Sequence, residues 1–141
     1  MALSYTGTVT TTGEGRNGGH IASNDGAIDQ VLATPTELGG AGGGTNPEQL
    51  FAAGWSGCFM GALRLAAGAE KIRLDGIEIT ADVTLNHDET KGFFLTAKLE
   101  VVAGGVDEET IQRLAERAHQ TCPYSKAITG NVPVEIIARA K

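Results

Sequence analysis

The sequence of 141 residues is poor in cysteine, with 2 residues, and in aromatic residues, at 5%. It also lacks an excess of positive charge, because 11 Lys and Arg against 17 Asp and Glu give a net charge of −6. An acidic chain without a basic cluster argues against a nucleic acid or an anionic membrane as a partner. No apolar run reaches the roughly 18 residues of a membrane span, and the N-terminal residues lack the pattern of a signal peptide. We therefore expect a cytoplasmic protein.

The two cysteines, Cys58 and Cys122, are too far apart in the sequence to form a C-x-x-C motif. In a reducing compartment both are expected to be thiols at rest, and a disulfide between them would be transient and catalytic. Two cysteines with three scattered histidines do not form a zinc-binding pattern, so no metal site is expected. We expect His20, His87 and His119 at the surface or in loops.

The pattern of apolar residues predicts an α+β fold in a single domain that spans residues 1–141. Alternating or β-branched stretches predict strands, and helical spacing of apolar residues predicts helices. The predicted order is β-β-β-α-β-β-α-β, with a strand over Ser4–Thr12, two short strands within 20–32, a helix over 47–69, a hairpin over 76–103, a helix over 107–122 and a strand over 132–140. This order is typical of an antiparallel-rich sheet with a long central helix. The glycine-rich segment 39–44 is expected to be a loop inside this domain.

The long helix has a clear start and an unusual content of glycine. Asn46 is a good cap, Pro47 suits the first helical position, and Glu48 suits the positive end of the helix dipole. Glycine in a helix costs about 1 kcal/mol relative to alanine. The helix nevertheless has a ridge of glycines on one face: Gly54, Gly57, Gly61 and Gly68. Such a ridge predicts close approach of another backbone, in this chain or in a partner subunit.

The residues around Cys58 leave two interpretations open. It shares an apolar face with Phe51, Trp55, Ala62 and Leu65. Taken alone, such a cysteine is more often a buried structural residue than a reactive one. Burial raises a thiol pKa, so reactivity needs a nearby cation. Arg64, the nearest basic residue in the sequence, points to the opposite side of the helix.

Cys122 precedes Pro123 at the predicted end of the second helix. A helix C-terminus is negative and disfavours a thiolate, so Cys122 is a poor first nucleophile. It could still resolve a disulfide that Cys58 starts, because thiol exchange depends on access and geometry as well as on pKa. On spacing alone, a structural role is favoured for this cysteine too.

Three segments resemble one known family over essentially the whole chain. "GEGRNG", "NPEQLFAAGWSGCFMGAL" and "AHQTCPYSKAITGN" resemble the organic hydroperoxide resistance (Ohr) branch of the OsmC/Ohr family. The resemblance implies a thiol peroxidase with Cys58 as the peroxidatic and Cys122 as the resolving cysteine. It further implies that Arg16 stabilises the thiolate and peroxide, and that Glu48 orients Arg16. It also implies an intertwined homodimer without a bound cofactor, reduced by dihydrolipoyl groups, including those of lipoylated proteins.

The chemistry of these residue types fits that role. Arginine is always charged and can lower a thiol pKa, and a glutamate can hold its guanidinium in a bidentate contact. Glu48 and Cys58 are ten residues apart, which is about 15 Å of helix. Either Arg16 spans part of this distance, or Glu48 of the partner subunit serves this Cys58, and we favour the second. The apolar helix face favours an alkyl or fatty-acid peroxide over hydrogen peroxide.

Three other interpretations are compatible with the sequence. The chain could be a non-enzymatic thiol redox sensor that signals through the same disulfide. It could be a small-molecule binding protein of the same fold with structural cysteines. It could also be an α+β oligomer whose glycine ridge only packs helices. Turnover with a dithiol separates a peroxidase from a sensor, and unreactive cysteines would favour the two structural alternatives.

Overall fold

The computed structural model describes residues 2–141. The chain divides into two compact units, Met1–Leu50 and Phe51–Lys141. The boundary falls within the long helix α1, Pro47–Ala69. The single domain that we expect over residues 1–141 stays a prediction. The α+β class, with antiparallel sheets and a long helix, is confirmed.

The first unit contains the predicted antiparallel meander. Strands β1 (Val9–Thr12), β2 (His20–Ser23) and β3 (Asp29–Val31) pair in sequence order. β1 begins at Val9 rather than at Ser4. A 3₁₀ turn over Gly15–Asn17 joins β1 to β2. Gly19 packs against this turn so closely that a Cβ atom would lie 2.5 Å from the Gly15 nitrogen. Only glycine fits there, and the tight turn fixes the backbone of the arginine that it contains.

α1 begins as the sequence predicts. The Asn46 side chain accepts a hydrogen bond from the Gln49 N–H at 2.9 Å, and Pro47 is the first helical residue. Among residues 2–141, α1 is also long and apolar enough, by length and composition, to cross a membrane. This test averages hydropathy and tolerates charged residues such as Arg64, so it does not contradict the expectation, which concerned uninterrupted apolar runs. A core helix passes the same test, and α1 buries Trp55 and Phe59 in a protein core.

The second unit is built on the predicted hairpin. Strands β4 (Asp75–Asp88) and β5 (Gly92–Gly104) pair antiparallel, and β6 (Val134–Ala140) adds to β5 in parallel. Helix α2, Glu108–Thr121, is capped by Asp107, which accepts from the Thr110 N–H at 2.8 Å. Side chains from α1, the sheet and α2 form one core, whose fully buried members include Phe59, Leu63, Leu99, Val101, Ile111 and Leu114.

The sequence did not predict a third helix, α3, over Pro123–Ile128. Pro123 ends α2 because the residue before a proline is forced into an extended conformation, and Cys122 has φ −62° and ψ 122°. The same proline is preorganised for the first position of a new helix. Cys122 therefore lies between two helices and not only at the end of one.

The glycine ridge of α1 packs on no helix of the second unit over most of its length. A Cβ atom on Gly57, Gly61 or Gly68 would meet no atom within 4 Å, whereas one on Gly54 would lie 3.2 Å from the Tyr124 ring. A groove of about 350 Å³ runs along this face, lined by Ser56, Gly57, Met60, Gly61, Arg64 and Ile79. Leu65 is 77% exposed, so this part of the predicted apolar face is open to solvent.

Candidate active site

The second unit brings Cys58 and Cys122 together. Both cysteines are free thiols, and their Sγ atoms are 3.7 Å apart. Cys122 is completely buried, and Cys58 is half-buried. A disulfide needs an S–S distance of about 2.05 Å, so an approach of about 1.7 Å would join the two sulfurs. The two sulfurs are close together but are not bonded.

Two contacts beside the sulfurs were not predicted. Trp55 Nε1 donates a hydrogen bond to Ser125 Oγ at 3.0 Å. The Tyr124 ring lies against α1 at Gly54, where the missing side chain leaves room for it. The sequence did contain a signal: Ser125 follows Cys122 by three residues, just as Cys58 follows Trp55. Because the sequence did not predict α3, the significance of this shared three-residue spacing could not be recognised.

The surroundings of Cys58 within the second unit disfavour a thiolate. Burial raises the pKa of the Cys58 thiol, the neighbouring Cys122 raises it further, and the Tyr124 backbone N–H acts in the opposite direction with a smaller effect. A nucleophilic cysteine needs a lowered pKa, because the thiolate is the reactive form. A cation must therefore approach Cys58 before this thiol can react quickly near neutral pH.

The first unit contains the second predicted pair. Arg16 lies in the 3₁₀ turn, and Glu48 lies in the first turn of α1. Arg16 Nη1 and Nη2 donate to the two Glu48 oxygens at 2.6 and 2.8 Å. This hydrogen bonding raises the pKa of Arg16, so the guanidinium stays charged. The bidentate contact forms within one chain. That this pair serves Cys58 of the partner subunit stays a prediction.

The three histidines lie on three different elements, β2, β4 and α2. His20 contacts Asp29 in the first sheet at 2.6 Å, and His87 stacks near Phe93 at the tip of the β4–β5 hairpin. His119 is half-buried on α2 rather than in a loop, and burial lowers its pKa. Over residues 2–141, no group of three His, Cys, Asp or Glu side chains could hold a metal ion.

Comparison with known proteins identifies the class to which this fold and these cysteines belong. The profile of OsmC-like proteins matches residues 40–137, which include α1 and both cysteines. The chain therefore belongs to the OsmC/Ohr family.

Three of its relatives indicate the branch of this family to which the chain is most similar. An organic hydroperoxide resistance protein of Xanthomonas axonopodis pv. citri is 46% identical over 94% of this chain and 92% of its own length. The crystal structure of one from Legionella pneumophila is 40% identical, with a TM-score of 0.91 over 98% of this chain and 99% of that one. OhrB of Bacillus subtilis is 42% identical, with a TM-score of 0.85 over 96% and 98% of the two chains. The resemblance to the Ohr branch is confirmed.

Proposed function

We propose that this protein is a thiol peroxidase that reduces organic hydroperoxides to alcohols. The observation that carries the proposal is the distance of 3.7 Å between two reduced sulfurs, Cys58 and Cys122. Free thiols that only fill a core do not need to face each other. The names of the relatives, which concern resistance to organic hydroperoxides, supply the substrate class.

The cycle begins at Cys58, the more accessible of the two cysteines. The Cys58 thiolate attacks one peroxide oxygen, the O–O bond breaks, and the alkoxide leaves as an alcohol after protonation. Cys58 is then a sulfenic acid. The Cys122 sulfur attacks the Cys58 sulfur, and the oxygen leaves as water. A dithiol, for which we propose a dihydrolipoyl group carried on a lipoylated protein, reduces the disulfide and is itself oxidised to a cyclic disulfide.

Arg16 supplies the positive charge that the cycle requires. Its guanidinium, brought to Cys58, opposes the effect of burial and lowers the thiol pKa. It also stabilises the negative charge that develops on the departing oxygen. Glu48 holds the guanidinium through two hydrogen bonds, at 2.6 and 2.8 Å, and so reduces the entropy lost when the transition state forms.

The protein acts as a homodimer in this proposal. The support is the open face of α1, where Gly57 and Gly61 leave the helix backbone uncovered and Leu65 is exposed. A smooth glycine face allows a second copy to approach closely. We propose that the pair of Arg16 and Glu48 acts on Cys58 of the partner subunit, and that the reaction takes place in the cytoplasm.

Steady-state turnover tests the function. The protein is mixed with an alkyl hydroperoxide and dihydrolipoamide, and loss of peroxide is followed with wild type, Cys58→Ser and Cys122→Ser. We expect many turnovers for the wild type and none above background for Cys58→Ser. A redox sensor would consume one equivalent of peroxide and stop. A binding protein with structural cysteines would consume none. Equal turnover of hydrogen peroxide at low concentration would argue against a preference for organic peroxides.

A further inference from the structure

One turn of α1 and one turn of α3 face each other around the two sulfurs. Trp55 lies one turn before Cys58, and Ser125 lies one turn after Cys122. The hydrogen bond from Trp55 Nε1 to Ser125 Oγ, at 3.0 Å, joins these two turns. Both side chains are completely buried. Because no water can replace a lost partner at such a depth, this bond strongly favours one alignment of α3 on α1.

Backbone hydrogen bonds fix Cys122 relative to the helices on both sides of it. The Cys122 N–H donates to the Ala118 carbonyl at 2.8 Å, and the Cys122 carbonyl accepts from the Lys126 N–H at 2.9 Å. Cys122 is therefore tied to α2 on one side and to α3 on the other. A shift of α3 along α1 would move the Cys122 sulfur relative to the Cys58 sulfur.

We propose that Trp55 and Ser125 are positioning residues for disulfide formation, an inference that rests on the proposed function. In this step the Cys122 thiol gives up its proton, the S–S bond forms, the S–O bond of the Cys58 sulfenic acid breaks, and water leaves. The competing step transfers an oxygen from a second hydroperoxide to the sulfenic acid, which yields an alcohol and a sulfinic acid. The alignment that the Trp55–Ser125 hydrogen bond maintains sets the fraction of the Cys58 sulfenic acid that forms the disulfide rather than the sulfinic acid.

The test measures this competition directly. Reduced wild type, Ser125→Ala and Trp55→Phe are exposed to rising concentrations of tert-butyl hydroperoxide in the presence of dihydrolipoamide. Mass spectrometry of the intact protein then counts disulfide and sulfinic acid. We expect both variants to form sulfinic acid at about tenfold lower peroxide concentration than the wild type. The rate of the first oxidation of Cys58 should change by less than about twofold.

Two further variants separate positioning from general stability. Thr129→Ala removes a different hydrogen bond of the same region, from Thr129 Oγ1 to the Ser125 carbonyl at 2.8 Å. It should leave the competition unchanged. The double variant Trp55→Phe/Ser125→Ala should be no worse than the more affected single variant, because one bond is lost only once.

The outcomes distinguish this inference from the function on which it rests. If wild type forms a disulfide and folded Ser125→Ala shows the same sulfinic fraction at every peroxide concentration, the positioning role is wrong. If Thr129→Ala shows the same sensitivity as Ser125→Ala, the effect is one of general stability and the inference is also wrong. If wild type itself forms no disulfide with peroxide, the proposed function fails first.

Discussion

Two arginine–glutamate pairs, one in each compact unit, have the same shortest contact of 2.6 Å but different geometry. Arg16 uses two nitrogens, one for each oxygen of Glu48, whereas a single nitrogen of Arg113 contacts both oxygens of Glu70. The Arg16 and Glu48 side chains are 34% and 16% exposed, against 52% and 27% for Arg113 and Glu70. The first pair fixes the plane of a guanidinium, and the second connects the end of α1 to α2.

Residue type and shortest contact do not distinguish the two pairs, whereas hydrogen-bond geometry and exposure do. Two parallel hydrogen bonds orient a guanidinium, whereas one shared nitrogen leaves it free to rotate. The pair of Arg113 and Glu70 therefore serves as a built-in control for the pair of Arg16 and Glu48. Five experiments with substituted chains use this comparison or sharpen it.

Arg16→Gln should have the largest effect. The variant loses the cation that we propose to stabilise the thiolate and the departing oxygen, so the rate of Cys58 oxidation by an alkyl hydroperoxide should fall about a hundredfold. Arg113→Gln should stay within about twofold of the wild type. Stopped-flow measurement of the two rates checks the comparison. Similar losses in both variants would mean that Arg16 has no special role.

The pH dependence of the same variant follows from the burial of Cys58. Without Arg16, burial keeps the pKa of the Cys58 thiol above its ordinary value, so alkylation by iodoacetamide should accelerate only at strongly alkaline pH. In the wild type the midpoint should lie well below the ordinary value. In Arg16→Gln, the raised pKa of the Cys58 thiol also makes the stability of the fold depend on pH. This contribution is fully present below the thiol pKa of the unfolded chain and is lost as the pH rises through the thiol pKa of the folded protein.

In the proposed homodimer, a mixing experiment determines which subunit's Arg16 acts on a given Cys58. Dimers of Arg16→Gln alone should be nearly inactive and dimers of Cys58→Ser alone inactive, but a mixed dimer would contain one complete site if the pair acts on the partner's cysteine. Random exchange of subunits should then restore about a quarter of wild-type activity. Replacing Cys58→Ser by the double variant Arg16→Gln/Cys58→Ser should abolish this recovery. No recovery in exchanged dimers would mean that Arg16 acts within its own chain.

Glu48→Gln should reduce the peroxide rate about tenfold, because the arginine keeps its charge but loses its charged partner. The matched variant Glu70→Gln should keep the rate and instead change acid stability. Arg113 lowers the pKa of Glu70, so the wild-type pair stabilises the fold above the unfolded pKa of Glu70. That contribution disappears as the pH falls through the folded value. Acid unfolding of wild type and Glu70→Gln, followed by circular dichroism, measures it.

The smallest effect is expected at the helix caps. Asn46 caps the turn that presents Glu48, and Asp107 caps the helix that presents Arg113. Asn46→Ala should lower the free energy of unfolding by about 1 kcal/mol and also slow peroxide reduction slightly. Asp107→Ala should lower stability without changing the rate. Urea unfolding and the peroxide assay provide the two measurements, and a slower rate in both variants would assign the effect to general destabilisation.

Much of the fold could be predicted because local signals and tertiary packing agree. Asn46 and Pro47 begin α1, Asp107 caps α2, and alternation defines β4 and β5, all as the structure has them. α3 was missed because Pro123 carries two opposite signals, one that ends a helix and one that begins another. We predicted a strand from Ser4 because β-branched residues favour strands. This propensity does not show how long the partner strand is, and β1 begins only at Val9.

The sequence predicts which residues form the candidate site but not how they are arranged. Motif resemblance pointed to Cys58, Cys122, Arg16 and Glu48, whereas the cysteine residues alone favoured structural roles. No local pattern could show that the two sulfurs rest 3.7 Å apart or that Trp55 reaches Ser125. Both facts depend on how α3 packs on α1, which is a long-range property of the fold.

The most direct test of the peroxidase proposal is single-turnover oxidation of the reduced protein by one equivalent of an alkyl hydroperoxide, followed by intact-protein mass spectrometry. We predict that the wild type loses two hydrogen atoms as one intramolecular disulfide forms. Cys122→Ser should gain oxygen at Cys58, and Cys58→Ser should not react. If neither cysteine reacts until the protein is unfolded, both are structural and the peroxidase proposal is wrong.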